Sequence, residues 1–273
     1  RIMRLWFWRC LKFNFIKLIK INKINIFCII NRIEFWIILF FLIRLIGITN
    51  PPLETSHNWR QSTGLMVARN FLEQDSNVLY PRVDDNNGLT GIVGMEFPIM
   101  NYLYFLIAKI FGYTHWYGRL LNLIFSSLGI LFFFKIVREY LNHKIALFSS
   151  LVLIVSVWFV FSRKMMPDTF CISLAFIGLY YGIRFIKCSE FRNLFLYIFF
   201  FSIGILAKLP AGIYLVICFL ALFSKEIILK NKLIICFATA IPLILSYIWY
   251  FVWNPYLSEK YGLWYNSGND LLT

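Results

Sequence analysis

Apolar runs long enough to cross a bilayer recur along this chain, with Lys or Arg at most of their ends. That repetition constrains the fold more than any single motif does, because about 18 or more consecutive apolar residues is the length of a membrane helix. Leu120 to Val137, Ile145 to Ser162, Thr169 to Ile186 and Leu233 to Trp253 reach that length, and Phe35 to Ile48, Ile99 to Phe111, Leu194 to Ala207 and Leu209 to Phe223 are shorter apolar runs. Hydrophobic residues make up 60% of the sequence and charged ones only 15%. A soluble domain, at roughly half apolar and a quarter charged, has no interior for that proportion. The expected fold class is an all-α polytopic membrane protein.

The net charge of +14 raises nucleic acid as a partner. The cations flank apolar runs instead of forming one patch, which is the pattern of span anchors and orientation signals, so nucleic-acid binding is set aside. The six cysteines have no C-x-x-C spacing and read as small apolar residues, not as disulfides or metal ligands.

Residues 1–32 carry Arg and Lys with no acid, the character of a basic cytoplasmic or interfacial segment. Residues 33–253 form the expected membrane domain, and 254–273 the start of an outer loop. A chain that begins with Arg and stops in a polar segment is expected to be part of a longer protein. The run Ile99 to Phe111 decides the topology, being short for a span and interrupted by Lys109. If it lies along the surface, the connections with Lys135/Arg138/Lys144, Arg184/Lys187/Arg192 and Lys225/Lys230/Lys232 all fall on the side of the basic start. The positive-inside rule favours that arrangement. It gives about seven spans, an outer first loop over 50–118 with juxtamembrane helices, and a kink at Pro242 in the last span.

The interval Leu53 to Pro98 is where ionisable groups of both signs concentrate. Trp59 to Phe71 has Thr63, Met66, Val67, Asn70 and Phe71 at helical spacing, so a short surface helix is predicted there, with Arg69 steadying its C-terminus. YPRVDDNNG reads as a turn or loop in which Asp85 is a solvated turn residue. In this topology Glu54, His57, Arg60, Asp84, Glu96, Asp168 and Lys208 share the outer face, and ionisable groups at a membrane boundary form a default site. A bland role for Asp168 is to pair with Arg60, Arg163 or Lys164 and hold the loop to the bundle. A divalent metal ion is the one cofactor candidate, with Glu96, His57 and His115 as possible ligands that lack a signature spacing.

HNWRQSTGLMVARNF, YPRVD, GIVGMEFPIMNYL, Gly118-Arg119-Leu120, SRKMMPDTF and AKLPAG follow one another over about residues 51 to 215. That order resembles the dolichyl-phosphate-mannose-protein mannosyltransferase-like superfamily, including the aminoarabinose transferases, which are family 39/83-type glycosyltransferases with the GT-C fold. The resemblance implies a sugar taken from a polyprenyl-phosphate donor and passed to a protein, lipid or glycan acceptor outside the cytoplasmic (inner) membrane. Such enzymes commonly carry an Asp-Glu pair before the surface helix, where this chain has Glu54 and His57 followed by Trp59-Arg60-Gln61. The similarity also implies that Asp168 braces the loop and that Lys208 faces the lipid phosphate.

Glu54 is then the expected base with His57 behind it, Asp84 and Asp168 complete the catalytic candidates, and Arg60, Arg82, Glu96 and Lys208 are expected to contact substrate. A carboxylate or imidazole can take the acceptor proton, and cations aimed at the phosphate stabilise its departure. A transporter or flippase for a lipid-linked or anionic solute is the rival, but it calls for mid-membrane charges and a repeat that the sequence lacks. A non-catalytic scaffold leaves the charged loop without a purpose.

Overall fold

The protein is described from a computed structural model, over residues 28–52, 57–84, 88–216, 223 and 227–262. Most of the basic segment, Glu54, Asp85 and the last residues of the chain lie outside the described residues. Among the described residues the regular structure is helix, apart from an isolated antiparallel bridge between Arg82 and Ile92 in the loop before Ile99.

The helices in chain order are α1 (Ile33–Leu45), α2 (Asn58–Glu73), α3 (Ile99–Phe111), α4 (Tyr117–Tyr140), α5 (His143–Val155), α6 (Val157–Val160), α7 (Pro167–Cys188), α8 (Phe191–Ala207), α9 (Leu229–Tyr247) and α10 (Asn254–Tyr261). Helices α7 and α4 form the centre. Leu174, Ala175 and Ile177 of α7 pack with Leu121 of α4 and Tyr197, Phe201 and Ile205 of α8 in the largest buried cluster. Gly129 makes the α4–α7 approach close: a side chain there would stand 2.8 Å from the Ser173 Cα. Lipid offers no hydrophobic drive between helices, so small residues that let backbones approach are what such packing uses.

Among the described residues, three helical stretches have the length and apolarity to cross a membrane: Tyr117–Tyr140, Pro167–Cys188 and Leu229–Tyr261. A fourth is the pair His143–Val155 and Val157–Arg163, which bends by 54°. The expected unbroken run Ile145 to Ser162 is thus corrected. Ser156 turns extended at ψ 163°, its N–H and hydroxyl both donate to the Leu153 carbonyl, and the chain restarts as α6 and a 3₁₀ turn. Pro242 sits inside α9 without ending it, and the helix passes through a π-helical stretch, Ile248–Trp253, into α10. The last helix therefore runs beyond the expected stop at Trp253. The four described cysteines are free, and of these Cys171 alone is buried.

The two ends of the bundle are distinct. At one, Arg119 at the start of α4, 1% exposed, donates to the carbonyls of Ile48, Asn50 and Pro51, while Arg163 donates to Ile46. At the other, His143 meets the Asn31 carbonyl, Lys187 pairs with Glu139, and the Asn231 amide donates to Ser189 Oγ. Both ends of α3 lie at the first end: Phe97, just before it, donates to the Leu206 carbonyl, and His115, just after it, contacts Thr49. At 13 residues α3 is shorter than the spanning helices, and both of its flanks contact the same end of the bundle.

Candidate active site

Helix α2 carries the first site residue. It buries Thr63, Val67, Asn70 and Phe71, as its spacing predicts, and also Gln61, Leu65 and Ala68, so it is embedded on more than one side. Asn101 of α3 donates to the Gly64 carbonyl at 2.7 Å, fixing α2 against α3. Arg60, one turn into α2, thereby points at the segment preceding α3.

That segment, Gly94 to Phe97, is pinned at its backbone. The Met95 carbonyl accepts from Trp249 Nε1 at 3.0 Å and from Asn254 Nδ2 at 2.8 Å, and the Phe97 N–H donates to Leu206. Gly94 is needed for this contact, since a Cβ there would lie 2.8 Å from the Asn254 carbonyl oxygen. The last long helix and the end of α8 together hold Glu96 in place.

Asp168 and Lys208 arrive from helix ends. Pro167 opens α7 at a position where its missing N–H has no partner to lose, and Asp168 follows in the first turn, where a negative charge suits the helix dipole. Lys208 stands where α8 stops and Leu209-Pro210 begins a 3₁₀ turn. Asn122, fully buried in α4, fixes the approach to α7: its amide donates to the Lys164 and Met166 carbonyls at 2.7 and 3.2 Å, and its oxygen accepts from Thr169.

Four side chains from four separate segments then meet. Arg60 Nη2 lies 2.9 Å from Glu96 Oε1, Lys208 Nζ lies 3.7 Å from the same oxygen, and Lys208 also donates to Asp168 Oδ1. The second Asp168 oxygen is buried with no hydrogen-bond partner among the described residues, an acceptor open to an incoming donor. Burial holds the Glu96 carboxyl above its ordinary value, and Lys208 and Arg60 pull it back only in part. Beside this group is a cleft with about 620 Å³ of empty space, part of it open to solvent, lined by Trp59, Arg60, Glu96, Met100, Met165 and Pro167. Two cations and two carboxylates, their charges balanced within the group, stand here against an apolar wall.

The other expected site residues lie elsewhere. Asp84 accepts from Arg69 and from Asn70 Nδ2, which ties the loop to the far end of α2. Arg82 reaches Asp75 at 3.5 Å. His57 precedes α2 at φ 58° and its ring stacks edge-on against Phe161, while His115 Nε2 rests on the Thr49 carbonyl. Among the described residues no three His, Cys, Asp or Glu side chains come together, and Glu96 and Asp168 are both taken by cations, so Glu96, His57 and His115 do not fit a metal site. The expected partners of Asp168 are also corrected: the cation it meets is Lys208, not Arg60, Arg163 or Lys164. Sequence reasoning missed the Arg69–Asp84 tie and the work of Asn122, although an Asn inside the apolar run of α4 is a visible signal.

The sequence profile described as dolichyl-phosphate-mannose-protein mannosyltransferase matches residues 96–251, more than half of the chain. The chain belongs to that family. Glu96, Asp168 and Lys208 fall within the family's matched stretch, and Arg60 lies before it. Among solved structures, the chain is similar to ArnT from Cupriavidus metallidurans in the apo state, with a TM-score of 0.57 and 16% identity. The likeness covers 82% of this chain and 42% of that one, so the chain spans less than half the length of its structural relative, and what they share is the fold. That fold is the GT-C bundle expected from the order of the motifs. No curated protein matches the chain.

Proposed function

We propose that this chain is the membrane domain of a glycosyltransferase that takes a sugar from a polyprenyl-phosphate-linked donor and passes it to an acceptor at the outer face of the cytoplasmic membrane. The observation that carries the reading is the meeting of Arg60, Glu96, Asp168 and Lys208 beside an apolar cleft, at one end of a family-typical bundle. The positive-inside pattern supports the orientation, since the basic connections crowd the opposite end. Seven crossings follow from the sequence pattern; the sixth, Leu209 to Phe223, opens as a 3₁₀ turn over Leu209–Tyr214 and lies mostly outside the described residues.

The chemistry follows from the charges. As the bond between sugar and phosphate breaks, positive charge grows on the sugar ring and negative charge on the leaving phosphate. Arg60 and Lys208 face the phosphate and stabilise it in a boundary where water screens poorly. Glu96 and Asp168 hold the two cations in position, and the unpartnered Asp168 oxygen receives a hydroxyl from the substrate. An arriving phosphate pushes the raised Glu96 carboxyl further toward its neutral form, freeing Arg60 for the new anion while Lys208 stays held by Asp168. The acceptor proton goes to Glu54 on the first loop, with His57 as the second candidate.

Sugar transfer from a polyprenyl-phosphate donor, measured in membranes, tests the reading. Glu54→Ala and Asp168→Ala are expected to lose transfer; unchanged transfer in both refutes the site assignment.

A further inference from the structure

At the end of the bundle away from the cleft, α4 and α7 form a second charged concavity. Lys135, Arg138 and Glu139 project from one face of α4, and Tyr180 and Arg184 from one face of α7, around about 590 Å³ of open space. On α4 the residues stand three and four apart, and on α7 four apart, which is the spacing that stacks side chains on one helix face. From Arg119 to Arg138 the helix rises about 28 Å, so the two sites lie on opposite sides of the membrane span.

The charges here do not cancel. Among the described residues Glu139 is the one carboxylate lining the cavity, and Lys187 takes it at 2.9 Å. Lys135 Nζ instead lies over two rings, 4.7 Å from the Phe132 centroid and 5.6 Å from that of Tyr180, and Arg138 lies over Phe134. The rings orient the cations but supply no counter-charge. Where α4 ends beside Glu139, Tyr140 and Leu141 are exposed, an aromatic and an apolar residue of the kind found where a helix leaves the hydrocarbon core. Basic pockets between helices at that depth suit lipid phosphates.

We propose that this cavity binds the phosphate of an anionic phospholipid between Lys135, Arg138 and Arg184, with the acyl chains on the outside of α4 and α7. The bilayer supplies this ligand, and the site is separate from the one that faces the sugar donor.

Native mass spectrometry of the full chain, titrated with phosphatidylglycerol or with phosphatidylcholine, tests the proposal. Phosphatidylglycerol should be retained in preference. Lys135→Gln with Arg184→Gln should weaken its retention roughly 10- to 30-fold and leave phosphatidylcholine unaffected. Arg192→Gln with Lys230→Gln, two exposed basic positions at the same end but outside the cavity, should change it less than about threefold. A melting temperature in neutral detergent within a few degrees of wild type shows that the cavity variant is folded; a misfolded double variant is replaced by Arg184→Gln alone, with a smaller loss in the same direction. Equal losses in the two pairs, no preference for the anionic lipid, or full displacement by inorganic phosphate would each overturn it.

Discussion

Glu96 and Asp84 lie on one loop, and each faces an arginine of α2, yet their surroundings drive them apart. Glu96, with 22% of its side chain exposed, shares Arg60 with Lys208 at a cleft, and burial keeps its carboxyl raised. Asp84, at 43% exposure, also feels burial pushing its carboxyl up, but hydrogen bonds from Arg69 and Asn70 outweigh that and leave it lowered. A carboxyl that its partners stabilise in the charged form is a brace. One that the fold keeps uneasy in its charged form costs stability, and such groups gather where chemistry is done.

The sharpest way to break this comparison is to remove a cation from the cleft. Lys208→Met should lower sugar transfer about 100- to 1000-fold, the usual loss when a charge-stabilising group is deleted. Glu96→Gln comes next. It should lower transfer by up to about a hundredfold through misplacement of Arg60 and Lys208, read from initial rates. Its stability should match or exceed that of wild type at neutral pH. The folded chain holds the Glu96 proton more tightly than the unfolded chain does, so the cost of ionisation grows as pH rises through the window between the ordinary and the raised value. Thermal melts of both proteins across that window check the sign.

Asn122→Ala should destabilise by about 1–3 kcal/mol, because the carbonyls it satisfies at 164 and 166 are left buried without a donor. Transfer should fall with it, since Asp168 begins the next helix. The smallest effect belongs to Asp84→Asn. Both partners are more than a third exposed, so the loss should stay below about 1 kcal/mol. That contribution is present above the unfolded carboxylate value and disappears as pH falls through the lowered one. Transfer by this variant should stay near that of wild type.

Hydropathy made the membrane bundle legible, and the short length of the run Ile99 to Phe111 set it apart from the spanning helices. Helical spacing located α2 from Thr63, Val67, Asn70 and Phe71. The convergence of Arg60, Glu96, Asp168 and Lys208 on one face followed from topology alone. Which anion takes which cation did not: the preference of Lys208 for Asp168, and of Arg69 for Asp84, depends on how α2, α7 and α8 end in space, and local sequence holds no record of that. The break at Ser156 was hidden for a similar reason. Neither Pro nor Gly marks it, and Asn122 gathers the carbonyls beyond it from another helix. Glu54 lies outside the described residues, and its proposed role rests on its position before α2.

The most direct measurement is sugar transfer in proteoliposomes from a polyprenyl-phosphate donor, with wild type, Lys208→Met and Asp84→Asn side by side. Transfer should be present in wild type and in Asp84→Asn and lost in Lys208→Met. Equal transfer by all three, or loss in Asp84→Asn with Lys208→Met intact, would place the chemistry away from the cleft and contradict the account.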